Sequence, residues 1–177
     1  MADKIRTMKK RITNKMLLFF AFCSLTACQS YYYDETKELK AAVWSYQNPI
    51  NFDFKIEDTT TVYNIYLELE HSAEFPNQNI YAKVHVLFPD GKDRQQQVSL
   101  ELADGRGEWL GKCSAKTCTR RLAFMPNAVF DQAGAYSIKF EQYTRKESVE
   151  GIKSLRLIVE KAKIDKEEKN TKKDLKK

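Results

Sequence analysis

Few side chains in this sequence can offer covalent or acid–base chemistry beyond ordinary surface charge: Cys23, Cys28, Cys113, Cys118, His71 and His85. Cys28 closes the run Leu25-Thr26-Ala27-Cys28, directly behind the apolar stretch 16–25. Lys4, Arg6, Lys9, Lys10, Arg11 and Lys15 precede that stretch, against the single acid Asp3. A cationic segment, then roughly 7–15 apolar residues, then small residues is the pattern of an export leader. The apolar run falls short of the roughly 20 residues a spanning helix needs. A cysteine behind small residues at that point is an acceptor for diacylglycerol on its sulfur, with cleavage before it and acylation of the new α-amine. Each buried CH₂ contributes about 0.8 kcal/mol, and two or more acyl chains give stable anchoring. Cys28 is therefore the expected lipidation site and 1–27 the expected leader. Cys23 follows the bulky Phe22 and departs with it. Gln29 stands where an Asp often marks inner-membrane retention, which favours the outer membrane; a lipoprotein facing the periplasm is the expectation, with the cell surface as the alternative face.

Cys113 and Cys118 flank Ser114-Ala115-Lys116-Thr117. In an oxidising envelope they can close a disulfide loop, worth about 2 kcal/mol by chain entropy; two free thiols are the alternative in a reducing one. Their spacing suits neither a zinc site with His71 and His85 nor a redox pair, for which C-x-x-C in a βαβ frame is usual. His71 and His85 neighbour no G-x-S-x-G or H-E-x-x-H pattern. Gly105-Arg106-Gly107 lacks the Gly-Lys-Ser/Thr that completes a phosphate loop. These residues imply no enzyme, catalytic residue, metal, cofactor or small-molecule substrate. The net charge of +6 belongs to the ends of the chain: the leader contributes five of those charges and the lysine-rich run from Glu160 onward another three, so the body between is slightly acidic. That distribution excludes a basic nucleic-acid face.

The elements that position these residues are strands. Phe52, Phe54 and Ile56 share one face of a period-two run, as do Tyr63, Ile65, Leu67 and Leu69. Ile80 to Phe88, Gln97 to Leu102, Ala135 to Tyr143 and Leu155 to Val159 alternate likewise. Pro89-Asp90-Gly91 between two such runs predicts a hairpin turn, with proline presetting φ and glycine accepting φ > 0. Short strands separated by turn signals, and no helical period over the body, predict an all-β fold: one antiparallel β-sandwich, immunoglobulin- or jelly-roll-like. Tyr136, at the start of a strand after Gly134, fits a tyrosine corner, its hydroxyl bonding back to nearby backbone. The expected organisation is 1–27 leader, 28–40 lipidated tether, 41–160 sandwich and 161–177 charged, disordered tail. Val62, Tyr66, Tyr81 and Leu87, on the mixed faces of their strands, are either contact surface or packing against the second sheet, the latter favoured.

Several stretches together resemble the gliding motility lipoprotein GldH family of Bacteroidetes. They are Trp44, Pro49 to Phe54, Asp58-Thr59 with Tyr63, Phe75 to Tyr81, Phe88 to Gly91, Leu102 to Gly111, Gly134 to Tyr136, Glu141 to Arg145 and Gly151-Ile152. They run in order from Trp44 to Val159 behind the cysteine. Tyr143-Thr144-Arg145 departs from the Met-Arg common in that family, and the Cys113–Cys118 loop and basic tail look like additions. The resemblance implies an accessory envelope lipoprotein of the gliding and type IX secretion apparatus, working through contacts with other envelope proteins and held to the membrane by its lipid. Asp58-Thr59-Thr60 resembles the O-glycosylation acceptor of some Bacteroidetes, which makes Thr59 a candidate acceptor. A glycan-binding envelope lipoprotein is the alternative, with Trp44, Trp109 and the tyrosines stacking on sugar rings.

Overall fold

The computed structural model describes residues 31–162. The leader, Cys28 and the charged run from residue 163 lie outside them. The body is built from β1 (Tyr33–Glu38), β2 (Val43–Ser45), β3 (Ile50–Ile56), β4 (Tyr63–Ser72), β5 (Asn79–Leu87), β6 (Asp93–Glu101), β7 (Lys112–Cys113), β8 (Thr117–Ala128), β9 (Gly134–Gln142), β10 (Ser148–Glu150) and β11 (Ile152–Lys161). A five-stranded sheet has the order β1-β11-β4-β8-β7, a four-stranded sheet the order β3-β9-β5-β6, and β10 and β2 form a separate ribbon. Every pairing is antiparallel. Setting aside the short β2, β7 and β10, the eight remaining strands renumbered in chain order run 1-8-3-6 in one sheet and 2-7-4-5 in the other. That is the order of a jelly roll, which decides between the two sandwich types the sequence allowed.

Alternation is the cause of this arrangement. In β3, Ile50, Phe52, Phe54 and Ile56 are buried and the residues between them exposed. In β4, Tyr63, Ile65, Leu67 and Leu69 are wholly buried; they lie beside Leu155, Leu157 and Val159 of the neighbouring β11 and share one core with Tyr136, Ile138 and Phe140 of β9 in the other sheet. Each such side chain contributes about 1.5–3 kcal/mol by leaving water. The Pro89-Asp90-Gly91 turn forms as expected: the Gly91 N–H donates to Phe88 O and Phe88 N–H to Lys92 O, with Gly91 at φ +81°.

Two segments differ from the reading of the sequence. The segment 28–40, read as tether, contains β1, whose six residues pair with β11 from Tyr33↔Val159 to Glu38↔Ser154. The long strand β8 was not anticipated. It pairs with β4 through two register shifts between Tyr63 and Tyr66, and such bulges bend a strand and interrupt its alternation.

The outer face of the five-stranded sheet carries a connected set of charges. Arg156 bonds both Asp34, at 2.6 Å, and Glu68, at 2.9 Å. Arg121 reaches Glu68 and Glu160 and stacks over the Tyr66 ring at 4.0 Å. Arg156 holds the Asp34 carboxyl below its ordinary range. Tyr66 and Val62 are half-buried on this outward side, while Tyr81 and Leu87 are exposed on the other sheet; the packing expected for these four between the sheets does not occur.

Candidate functional site

Strand β9 runs between two differently built ends of the sandwich. At its start, Phe54, Tyr63, Phe130 and Tyr136 form an aromatic cluster with ring centroids 4.8–6.2 Å apart. The Tyr136 hydroxyl donates to Gln132 O at 2.8 Å, the bond expected of a tyrosine corner. The Tyr63 hydroxyl donates to Asp58 O at 3.0 Å, and burial pushes its pKa up to about 12. Asp58 accepts from Thr60 N and from the hydroxyls of Thr60 and Thr61, which lowers its own pKa to about 2. Thr59 lies in this turn, half-buried, at the head of the loop into β4.

At the other end of β9 lies an open groove of about 740 Å³. Phe75, Pro76, Ile80 and Val149 supply its apolar surface; Phe75, Ile80 and Val149 are buried. Arg145 and Lys146 stand on one side, and Glu74 and Glu150 also line it. None of these four charges takes part in an ion pair among the described residues. Tyr81 lines the groove with half of its surface exposed.

The loop carrying Arg145 and Lys146 is held from beneath. Gln142 is 1 % exposed. Its Nε2 donates to Lys146 O at 2.8 Å and Glu147 O at 3.2 Å, and its Oε1 accepts from Thr144 N at 2.6 Å. The Tyr46 hydroxyl donates to Thr144 O. A buried amide left unpaired costs about 1–3 kcal/mol, so satisfying Gln142 fixes the loop. Three of the stretches quoted for the family resemblance, Phe75 to Tyr81, Glu141 to Arg145 and Gly151-Ile152, meet around this groove. The sequence reading passed over the groove itself because its walls come from segments about 70 residues apart, and no local pattern joins them.

The other singled-out residues are dispersed. Trp44 is wholly buried in the core, its indole N–H without an acceptor among the described residues; it presents no face to a sugar. Trp109 packs against His71 with centroids 4.6 Å apart. His71 is itself wholly buried, its Nδ1 2.8 Å from Ser72 O and its Nε2 unpartnered, and burial lowers its pKa. His85 lies on the outer face of the four-stranded sheet, with Nδ1 3.3 Å from Asp93 and Nε2 3.3 Å from Glu141; the second approach lacks hydrogen-bond alignment. The histidines therefore sit on different faces, and the cysteine opposite His71 in the ladder, Cys118, has its sulfur joined to Cys113. Among the described residues no group of three or more His, Cys, Asp or Glu is placed to hold a metal ion. Cys113 and Cys118 face each other across β7 and β8, Cα atoms 4.0 Å apart, with their sulfurs joined. The Gly-rich stretch after Leu102 is a hairpin that leans on β8: a Cβ on Gly111 would stand 2.4 Å from Thr119 O.

A family model described as "GldH lipoprotein" matches residues 31–158. The chain is 27 % identical over 124 residues to "Gliding motility lipoprotein GldH homolog" of Christiangramia forsetii, covering 70 % of this chain and 75 % of that one. It is 24 % identical over 147 residues to "Gliding motility lipoprotein GldH" of Flavobacterium johnsoniae, covering 82 % and 91 % respectively. Among solved structures, TmCBM61 in complex with β-1,4-galactotriose aligns with TM-score 0.33 and 9 % identity over 75 % of this chain and 91 % of that one. The VP2 subviral particle of infectious bursal disease virus aligns with TM-score 0.35 and 14 % identity over 76 % and 34 %. Likenesses at this level carry no argument about function.

Proposed function

We propose that this chain, which belongs to the GldH lipoprotein family, is a lipid-anchored accessory protein of the gliding and type IX secretion apparatus that acts by contacts with other envelope proteins. The family is implicated in gliding motility, and its members are lipoproteins of the cell envelope. One observation carries the reading: the family match spans nearly the whole described body. Lipidation of Cys28 supplies the physical logic, since a body confined to a bilayer meets its neighbours at raised effective concentration, and modest contacts then suffice. The outer membrane, on its periplasmic side, is the proposed location, the Cys113–Cys118 disulfide the proposed state of that hairpin, and Thr59 a proposed glycan acceptor.

Crosslinking in living cells followed by purification of the tethered protein tests the role. Recovery of gliding or secretion components is expected; recovery of none from a gliding strain rejects it. Cys28→Ala should move the body from the membrane fraction to the soluble one, and unchanged sedimentation with lipid refutes the anchor.

The glycan-binding reading keeps one observation in its favour, the exposed Tyr81 ring beside Asn77 and Asn79 in the groove. Titration calorimetry with envelope glycans separates the two, because saturable sugar binding abolished by Tyr81→Ala favours the rival.

A further inference from the structure

We propose that the groove between β10 and the start of β5 binds an extended polypeptide segment of a partner protein, which adds as a strand to the outer edge of β10 and places an acidic group against Arg145 and Lys146. This deepens the protein-contact reading given above and rests on it.

The ladder between β10 and β2 supplies the first argument. Tyr46 N–H donates to Glu147 O, and Gly151 N–H to Ala42 O. Ser148 lies opposite Ser45, Val149 opposite Trp44 and Glu150 opposite Val43. Residues of an antiparallel strand turn their N–H and C=O alternately toward and away from the partner. Glu147 and Val149 therefore face β2, as does the Gly151 N–H, while the Gly151 C=O accepts from Ser72 N–H; Ser148 and Glu150 point their backbone groups away from β2. Among the described residues β10 has no second strand beside it, and both residues line the groove. A strand-like row of donors and acceptors thus stands open at this wall.

The opposite wall repeats the feature. Tyr143 N–H donates to Tyr81 O, so Tyr81 turns its backbone toward β9. Asn79, two residues earlier, turns the same way, but β9 pairs with β5 only from Ala82 onward. The backbone of Asn79 is left facing the groove past the end of β9. Unpaired edges invite another strand, and natural proteins blunt them with short strands, charges, proline or bulges; β10 is short and carries Glu150, so it offers the outward groups of two residues. No proline or register shift occurs in β10.

The chemistry between the walls suits a peptide. Main-chain bonds to an edge supply affinity in strand addition, and pockets for alternate side chains supply specificity. Here an apolar floor can take one such side chain. Arg145 and Lys146, held in place through Gln142, offer unpaired positive charge to a carboxylate, and Glu74 and Glu150, which also line the groove, confine that carboxylate to the Arg145–Lys146 side. A saccharide would use the Tyr81 ring and the planar side chains but would leave the open backbone edges without strand-like partners.

A random twelve-residue peptide library displayed on phage, selected on the full mature chain, tests this. Two variants serve as counter-targets. Ser148→Pro removes an outward N–H that takes no part in the β2 ladder; Arg145→Glu with Lys146→Glu reverses the charge. Circular dichroism and a thermal midpoint within a few degrees of the parent establish that each variant folds. The expected outcome is enriched peptides alternating apolar and polar residues around an acid, binding each variant at least tenfold more weakly. Binding should also perturb and protect the amides of Ser148, Glu150 and Asn79 in NMR spectra. Failure to enrich any peptide that distinguishes the parent from both folded variants overturns the inference. If crosslinking in cells still recovers gliding or secretion components through another surface, only this inference falls. If oligosaccharides perturb the groove amides and peptides do not, the protein-contact reading falls with it.

Discussion

The two ends of the sandwich are built from similar residue types and finished differently. At the end holding Tyr136, hydroxyls are used up: Tyr32 bonds Lys55 O at 2.9 Å, Tyr63 bonds Asp58 O and Tyr136 bonds Gln132 O. Asp58 spends its carboxylate on the turn beside it. At the groove end, Tyr81 and Tyr143 stand 49–52 % exposed, the four groove charges have no ion-pair partner among the described residues, and the buried Trp44 and His71 each keep a polar atom without a hydrogen-bond partner among them. A folded chain normally satisfies such groups. Interactions at the first end hold the fold together; at the second they are left available to something else.

Substitutions can break or sharpen this contrast. The largest effect belongs to Phe54→Ala at the closed end, which removes a ring packed on Tyr136 and Phe130. It should cost about 3–5 kcal/mol in urea unfolding and leave the groove's ligand affinity unchanged in whatever fraction stays folded. Tyr136→Phe deletes one hydrogen bond and leaves Gln132 O without its donor; about 1–2 kcal/mol is expected in the same measurement, and a neutral result would mean this end is less closed than described.

A pH series probes the unpartnered His71. Its folded pKa lies below the ordinary 6.5 because burial penalises the charged ring. The unfolded chain therefore binds more protons in that window, so stability is fully present above about pH 6.5 and declines as pH falls beneath it. His71→Leu should flatten the slope of unfolding free energy between pH 7 and 5; a slope equal to that of the parent refutes the assignment. Smallest of all, Arg145→Ala with Lys146→Ala should change stability by no more than about 0.5 kcal/mol, since no ion pair is lost. A cost of 2 kcal/mol would make those charges structural and erase the contrast.

What the sequence made legible follows from burial. β3, β4, β5 and β9 each have one face in the core, so period two is written into their side chains and their positions can be read directly. β1 carries Tyr33, Glu35 and Lys37 on its less exposed face, a strand at the sheet edge with too little apolar contrast to separate it from a tether. The first half of β6 is exposed on both faces, so only Val98 onward announced itself. β8 has Arg120 and Arg121 at its middle and bulges opposite the start of β4, which breaks its periodicity. The tyrosine corner was legible because it depends on neighbours four residues apart. The groove was not, because an open strand edge is a property of how distant segments come together and no residue type marks it.

The early start of the first strand shortens the chain between it and Cys28. Tyr32 N–H already bonds Val159 O, and only four peptide units separate Tyr32 from Cys28. Fully stretched, they reach about 14 Å. The first strand enters the jelly roll at its Tyr136 end, where Tyr33 pairs with Val159. The ten residues of β4, at roughly 3.4 Å each, set the groove end on the order of 30 Å from the Tyr136 end. The groove and the entry of the first strand therefore lie at opposite ends of the same body.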